Sequence, residues 1–548
     1  MLINIFNWIY VIFTSFCLGY AFLLFAKKFL GYRIINIDSI LVAGLIIATV
    51  YAEIWSLFGG VLLAANLVLC LFCVAFIFFF RRAISATLHE AITPGNLSRR
   101  IVICVLFLLW AYFGSRGYFA YDSDLYHGQS IRWIEEYGVV KGMGNLHERF
   151  AYNSSYFALS ALYSMKFLFG RSLHSIGAYM AFLLSLTTLN ICRAWKRKKF
   201  IWSDYARIAA IYYLTTITDE VSAPASDFAI MCMIFWIVIK WLDALEDDGT
   251  KNEIAPFALL CVAGAYALTL KLTAGLILIL LIKPAVNLIK GKKWKEICIY
   301  LSLGLTVAVP WFIRTVLISG WLIYPFEGLD LFNVDWKINS ETVALDAANI
   351  KTWARGLYNA SLVDVPISEW FPGWFKGALS GTEKLLIIAC LGEIILFAGI
   401  VITSVIRRNK DSWDAILVMF TMLSSYIFWQ LSAPMMRYGY AGVLLTAVLP
   451  VGYILSHLKK TRIICLIVLL YGAYKLGMVG KYAFDSRLFG YMLWPQDYGQ
   501  YELESYDVDG ITIFYPVEGD RTGYDAFPTS PDKRDLELRG TGLRDGFR

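Results

Sequence analysis

The chain has 548 residues, 58% hydrophobic and 16% aromatic, with only 17% charged and a mean hydropathy of +0.60. That balance excludes a soluble globular protein, because apolar runs long enough to cross a bilayer recur along the whole sequence. The net charge of +7 does not call for nucleic acid: the basic residues cluster at the ends of apolar runs, as the bias of positive loops toward the cytoplasm explains.

In chain order, residues 5–25 form a first apolar run closed by Lys27 and Lys28; it lacks a basic start and a small-residue cleavage site, so it reads as a retained helix. Runs at 40–57 and 61–80 follow, joined by Gly59 and Gly60 and closed by Arg81 and Arg82. The next begins at 101 and extends to 118 if Arg116 snorkels at its outer end. Further helices are expected at 173–192, 205–218, 226–241, 255–270, 274–289, 297–318, 385–406, 415–431, 438–456 and 463–479.

Alternating direction puts the basic clusters at 193–199, 290–295, 407–410 and 459–462 on one side with the earlier ones. The expectation is an all-α polytopic membrane protein of GT-C-like build with about fourteen transmembrane helices and both termini outside. Residues 156–169 are too short for a crossing and should pack against or re-enter the outer face. All ten cysteines lie in or beside apolar segments, so no disulfide framework is expected.

This arrangement divides the chain into a membrane domain, 1–480, with two large outer loops at 119–170 and 320–384, and an extracytoplasmic tail at 481–548. The tail carries Gly510-Ile-Thr-Ile-Phe-Tyr-Pro516, which reads as a strand in a small α+β appendage. Residues 121–153 concentrate aspartates, histidines, glutamates, arginines and aromatics outside the lipid. Asp122 and Ser123 are placed to cap a helix starting near Asp124. Tyr126, Gln129, Ser130, Trp133 and Tyr137 then recur every three or four residues, as an amphipathic helix at the interface would require.

The first loop resembles the first periplasmic loop of the GT-C superfamily of lipid-phosphate-dependent glycosyltransferases, the aminoarabinose and mannosyl transferase branch included. The likeness lies in an outward helix, Tyr121-Asp122-x-x-x-Tyr126-His127, the helix end at Tyr137-Gly138, and an apolar stretch ending at Phe169-Gly170. Shorter likenesses are Ala223-Pro224-Ala225-Ser226-Asp227, Leu270-Lys271-Leu272-Thr273, Gly320 through Tyr324-Pro325-Phe326, and Ala433-Pro434-Met435-Met436-Arg437-Tyr438.

The resemblance implies a polyprenyl-phosphate sugar donor, an inverting transfer to a glycan, lipid or protein acceptor, and a catalytic carboxylate at Asp122. The usual Asp-Glu pair is broken by Ser123, and Asp124 is the alternative carboxylate. The physics of the reaction fits: a carboxylate takes the acceptor proton, and Arg437, with Lys271 as a second cation, receives the leaving phosphate. His127, Tyr126, Glu148, Arg149, Asp227, Tyr324 and Tyr438 complete the candidate substrate-binding set. Each has a plainer reading, Asp227 as a helix cap, Arg437 and Lys271 as snorkelling anchors, and Glu148 with Arg149 as a solvated charge run.

No cofactor is expected, since a monophosphate donor does not demand a metal. Mg or Mn on Asp122, Asp124, Asp219, Glu220 and Asp227 is the alternative. A bacterial plasma membrane is the expected location, with the active site on its extracytoplasmic face. Glu53 and Asp414, inside or beside apolar runs, keep a transporter or lipid flippase as the competing class. A polymerase of O-antigen type ranks third, because the outer loops hold few arginines.

Overall fold

A computed structural model describes residues 1–33, 36–92, 97–117, 119–247, 253–409, 412–458, 462–483 and 488–548. Each expected apolar segment is helical, and the chain is a multi-pass helical membrane protein. Among the described residues ten helices are long and apolar enough to cross a membrane, from Leu2–Leu30 to Met436–Ser456. Leu97–Phe113, Trp202–Thr216 and Ala258–Leu270 are shorter. The helix that starts at Leu97 stops at Phe113, and Arg116 is buried beyond its end, so it does not snorkel from a longer helix. Lys410 and residues 459–461 of the basic clusters lie outside the described residues.

Helix packing begins with a close crossing of Leu2–Leu30 and Ile37–Ser56. A Cβ on Gly44 would sit 1.7 Å from the Ser15 carbonyl oxygen, and one on Gly19 1.8 Å from that of Ile40. Only a residue without a side chain lets the backbones meet there, as small residues do between membrane helices. Residues 155–162 form a buried helix packed beside Ile37–Ser56, and Lys166–Phe169 adds one more turn.

Inside the bundle, several ionisable residues of the spans are paired or hydrogen-bonded. Lys240 meets Asp38 at 2.6 Å, Lys283 meets Asp414 at 2.5 Å, and Arg314 donates to Asn153 at 3.1 Å and to Ser56. Asp414 is therefore half of an ion pair between neighbouring helices, and Glu53 is buried among the same elements as Arg314. Arginine and lysine placed in this way cross-link helices where an unpaired charge would be costly.

The tail folds back over the first outer loop. Strands β1 (Leu503–Val508) and β2 (Ile511–Pro516) pair antiparallel through Asp509-Gly510, both at positive φ, as a tight two-residue hairpin requires. Tyr506, Val508, Ile513, Leu538 and Phe547 bury against Trp133, Val140, Leu146 and Phe150 of the loop and Trp321 of the second loop. The helix Gly128–Glu136 thus has tail on one side and bundle on the other. Gln129, Ser130 and Trp133 are buried, so the expected exposed polar face is absent.

Gly44→Leu should overpack the first helix crossing by about 3 kcal/mol or more, and the measurement is the yield and melting temperature of monodisperse protein in detergent. A variant that melts with the unaltered chain would show that the crossing relaxes.

Candidate functional site

The segment that carries Asp122 enters as one π-helical turn, Ser123–His127, before the α-helix Gly128–Glu136. Asp122 stands at the start of this turn, yet its carboxylate makes no capping hydrogen bond. It is engaged by the Arg437 guanidinium, whose Nη2 donates to Asp122 Oδ2. The expected cap is corrected here: a permanent cation competes better for the carboxylate than free backbone donors do.

Arg437 occupies the first turn of Met436–Ser456, where the helix end is itself partly positive. A cation there needs anions, and it has two: Asp122, and Asp227 Oδ2 at 3.9 Å from Arg437 Nε. Asp227 lies in the first turn of Ser226–Glu246, the favourable end for an acid, and binds the Lys271 ammonium instead of capping its own helix. Lys271 is presented by an extended break between the helix Ala258–Leu270 and the 3-10 stretch Leu272–Leu281. Its ammonium sits 3.8 Å from the centre of the Tyr438 ring, and the Tyr438 hydroxyl accepts from Arg437 at 3.1 Å. Asp122, Arg437, Asp227, Lys271 and Tyr438 thus form one continuous charged chain drawn from four segments.

The turn before Arg437 is gripped from above. Trp429 Nε1 donates to the Met435 carbonyl at 2.8 Å, Trp374 Nε1 to that of Pro434 at 3.0 Å, and Arg355 to that of Leu431 at 2.8 Å. Trp374 and Arg355 belong to the second outer loop, which therefore fixes where Arg437 points.

His127 is 3% exposed, its ring packs on Tyr126 and Phe157, and among the described residues its Nδ1 has no hydrogen-bond partner. Burial lowers its pKa to about 4 against the pull of Asp122, so the ring is neutral near pH 7. Burial also pushes the Asp122 carboxyl up, but Arg437 first and His127 and Arg149 after it outweigh burial, and it lies below the ordinary carboxylate value. The Tyr126 hydroxyl is held far above its usual value by burial and by Asp122.

Asp124 is turned away from this chain. Its Oδ1 accepts from the Gly499 amide and its Oδ2 from the Tyr501 hydroxyl, both at 3.0 Å. Its backbone carbonyl takes the amides of Thr522 at 3.1 Å and Gly523 at 2.9 Å. Both carboxylate oxygens are thus engaged by the tail.

Arg149 and Tyr324 fall in a neighbouring cluster around Asp346, a buried acid that sequence reasoning missed. Asp346 accepts from Tyr152 at 2.7 Å and Tyr324 at 2.9 Å and pairs with Arg149 at 3.2 Å. No spacing signals it, because its helix, Ser340–Ala354, meets residues nearly two hundred positions earlier only in space. Glu148 is held by Arg534 of the tail at 2.7 Å and by His147 at 3.5 Å. Among the described residues no three His, Cys, Asp or Glu side chains converge as a metal set would, Asp219 and Glu220 included.

Beside Tyr438 a groove with about 590 Å³ of empty space runs between helices, lined by Ile234, Ile277, Phe428, Trp429 and Gly442 among others. Its walls are mostly apolar, and it reaches the charged chain at Tyr438. The site can therefore hold a charged head group next to a hydrocarbon tail.

Comparison with curated proteins finds no match. Among solved structures, the arabinosyltransferase EmbB from Mycobacterium smegmatis is similar at 14% identity with a TM-score of 0.34, over 72% of this chain and 34% of that one. The chain spans about a third of that protein's length, and a likeness of this degree carries no functional argument. Residues 1–445 match a family model described as a domain of unknown function, DUF8201, and the chain belongs to that family.

Proposed function

We propose that the protein is a membrane glycosyltransferase of GT-C type that moves a sugar from a polyprenyl-phosphate donor to an acceptor at the extracytoplasmic face of a bacterial plasma membrane. The observation that carries this reading is the meeting of Asp122, Arg437, Asp227 and Lys271 in one ion chain, beside a mostly apolar groove that reaches it at Tyr438. A lipid monophosphate is a single charged group on a hydrocarbon chain, and the ion chain with the groove beside it matches both parts.

In this reading the donor phosphate takes the planar fork of Arg437 and the ammonium of Lys271, two cations at the mouth of two helix N-termini. Asp227 keeps Lys271 oriented. Asp122, released from Arg437 as phosphate replaces it, accepts the proton of the acceptor hydroxyl while that oxygen attacks the anomeric carbon. The bond to phosphate breaks on the opposite face, so configuration inverts and polyprenyl phosphate leaves on Arg437. Tyr438 and Tyr126 wall the reacting sugar, and neutral His127 offers its unpartnered nitrogen to a hydroxyl. Asp124 acts by holding the tail, and the chemistry requires no metal.

Asp122→Asn should lower turnover by about 10²–10⁴-fold, with donor binding retained. The measurement is release of free polyprenyl phosphate in liposomes supplied with a panel of polyprenyl-phosphate sugars. Equal turnover in both proteins removes Asp122 from the chemistry, and absence of turnover by the unaltered protein with every donor overturns the reading.

The pH profile of kcat/KM reports the free enzyme. Because Asp122 must be ionised and its pKa is lowered, its own acid limb should lie below about 3.9, the ordinary value. No limb is expected near pH 6.5, since His127 titrates near 4. Arg437→Gln removes the main opposing charge and leaves burial, so the acid limb of the residual activity should move upward. A limb that stays in place separates Asp122 from the rate.

A further inference from the structure

The tail brings close to Tyr121, the neighbour of Asp122, a cation with no carboxylate at ion-pair distance among the described residues. The Arg521 guanidinium lies 4.6 Å from the centre of the Tyr121 ring and 5.0 Å from that of Tyr501. The Tyr121 hydroxyl donates to Asp520, and the Tyr501 hydroxyl donates to Asp124 at 3.0 Å. Both rings are therefore fixed at their outer ends. The guanidinium carbon lies over both rings, and among the described residues its N–H groups meet no hydrogen-bond acceptor and no carboxylate at ion-pair distance.

Neighbouring arginines are arranged differently. Arg132 is engaged by Glu136 and the carbonyls of Tyr524 and Asp525, Arg171 by Asp497, and Arg534 by Glu148 and Asp532. Arg521 alone of this group keeps its donor edge open. Arg521 is itself partly exposed, and Tyr121, on which it packs, is 51% exposed and directly precedes Asp122.

A guanidinium already packed against two aromatic rings loses less freedom when it binds than a free one, and its planar fork offers paired donors to a carboxylate or phosphate. We propose that Arg521 is a binding fork for an anionic group, carboxylate or phosphate, carried by a glycan acceptor. Calling the anion an acceptor group rests on the glycosyltransferase reading, in which the donor phosphate is held by Arg437 and Lys271. The fork itself does not rest on that reading. It also lies beyond residue 445, outside the part of the chain that matches the family model.

The test is equilibrium binding to the full-length protein in lipid nanodiscs, with trigalacturonate, its neutral methyl ester, inorganic phosphate and a short-chain polyprenyl phosphate as probes. Trigalacturonate or inorganic phosphate should bind with an affinity that falls as salt rises, and whichever binds better marks the anion as carboxylate or phosphate. The neutral ester, and Arg521→Ala with the anion, should each bind about tenfold more weakly, the worth of one charged hydrogen bond.

Arg521→Lys should fail to restore binding, because an ammonium keeps the charge but not the fork. Matching melting temperatures would show that the variants are folded. Unchanged binding by Arg521→Ala, or no binding of either anion, overturns the proposal. Competition by polyprenyl phosphate assigns the fork to the donor and overturns the acceptor assignment. Since binding and not turnover is read, this outcome is independent of whether the protein transfers a sugar.

Discussion

The rest of the site depends on a shared cation. Arg437 stands where a helix end already carries positive charge, and it is tolerable there because Asp122 and Asp227 both face it. Asp227 in turn is nearly buried, and two cations compensate its loss of water. Each charge is held in place by one from another segment, so no member of the chain can move without re-aiming the rest. The arrangement is also close to balance, with two carboxylates against two cations.

Holding that chain in place takes structure on three sides. The second outer loop pins the carbonyls of Leu431 and Pro434 through Arg355 and Trp374, which sets the first turn of the Arg437 helix. The tail pins the Asp122 turn from the opposite side, through Asp124, Gln129 and Arg132. The break at Lys271 is tied to the first loop, where Ser154 donates to the Leu270 carbonyl at 2.7 Å. Loops that would otherwise be mobile are thus cross-braced at the site, as a geometry set for reaction requires.

Much of this was legible in the sequence, and the reason differs by element. Apolar run length and basic punctuation locate the helices, because a lipid-facing segment has few other ways to satisfy its backbone. The strand at Ile511–Pro516 is readable from the run Gly510 to Pro516, whereas its partner Leu503–Val508 and the Asp509-Gly510 turn appear only in the structure. Asp122, Asp227, Lys271 and Arg437 stand out as charges beside apolar runs. Their mutual distances do not, since residues 122 and 437 are neighbours only through the packing of the bundle.

The local rule failed at Asp122, where capping was expected and a cation from another helix took the carboxylate. It failed again at Gly128–Glu136, whose polar face is amphipathic toward a tail that lies nearly four hundred residues away. Asp346 and Arg521 gave no signal at all, because their chemistry lies in partners that no spacing relates.

The balance of charge in the chain also bears on how a donor could enter. A free phosphate-lipid arriving beside Asp122 and Asp227 meets two like charges, and in an apolar groove that repulsion is weakly screened. In the proposed reaction, entry would be an exchange in which phosphate takes the place of the Asp122 carboxylate on Arg437, an anion for an anion, with the cation never left bare. The displaced carboxylate loses the partner that holds its pKa down while burial continues to push it up. Its basicity thus rises as the donor is seated. On the proposed reading, the same pairing keeps Asp122 a poor base until donor arrives, and one residue would perform both parts because Arg437 is the cation it would share with the substrate.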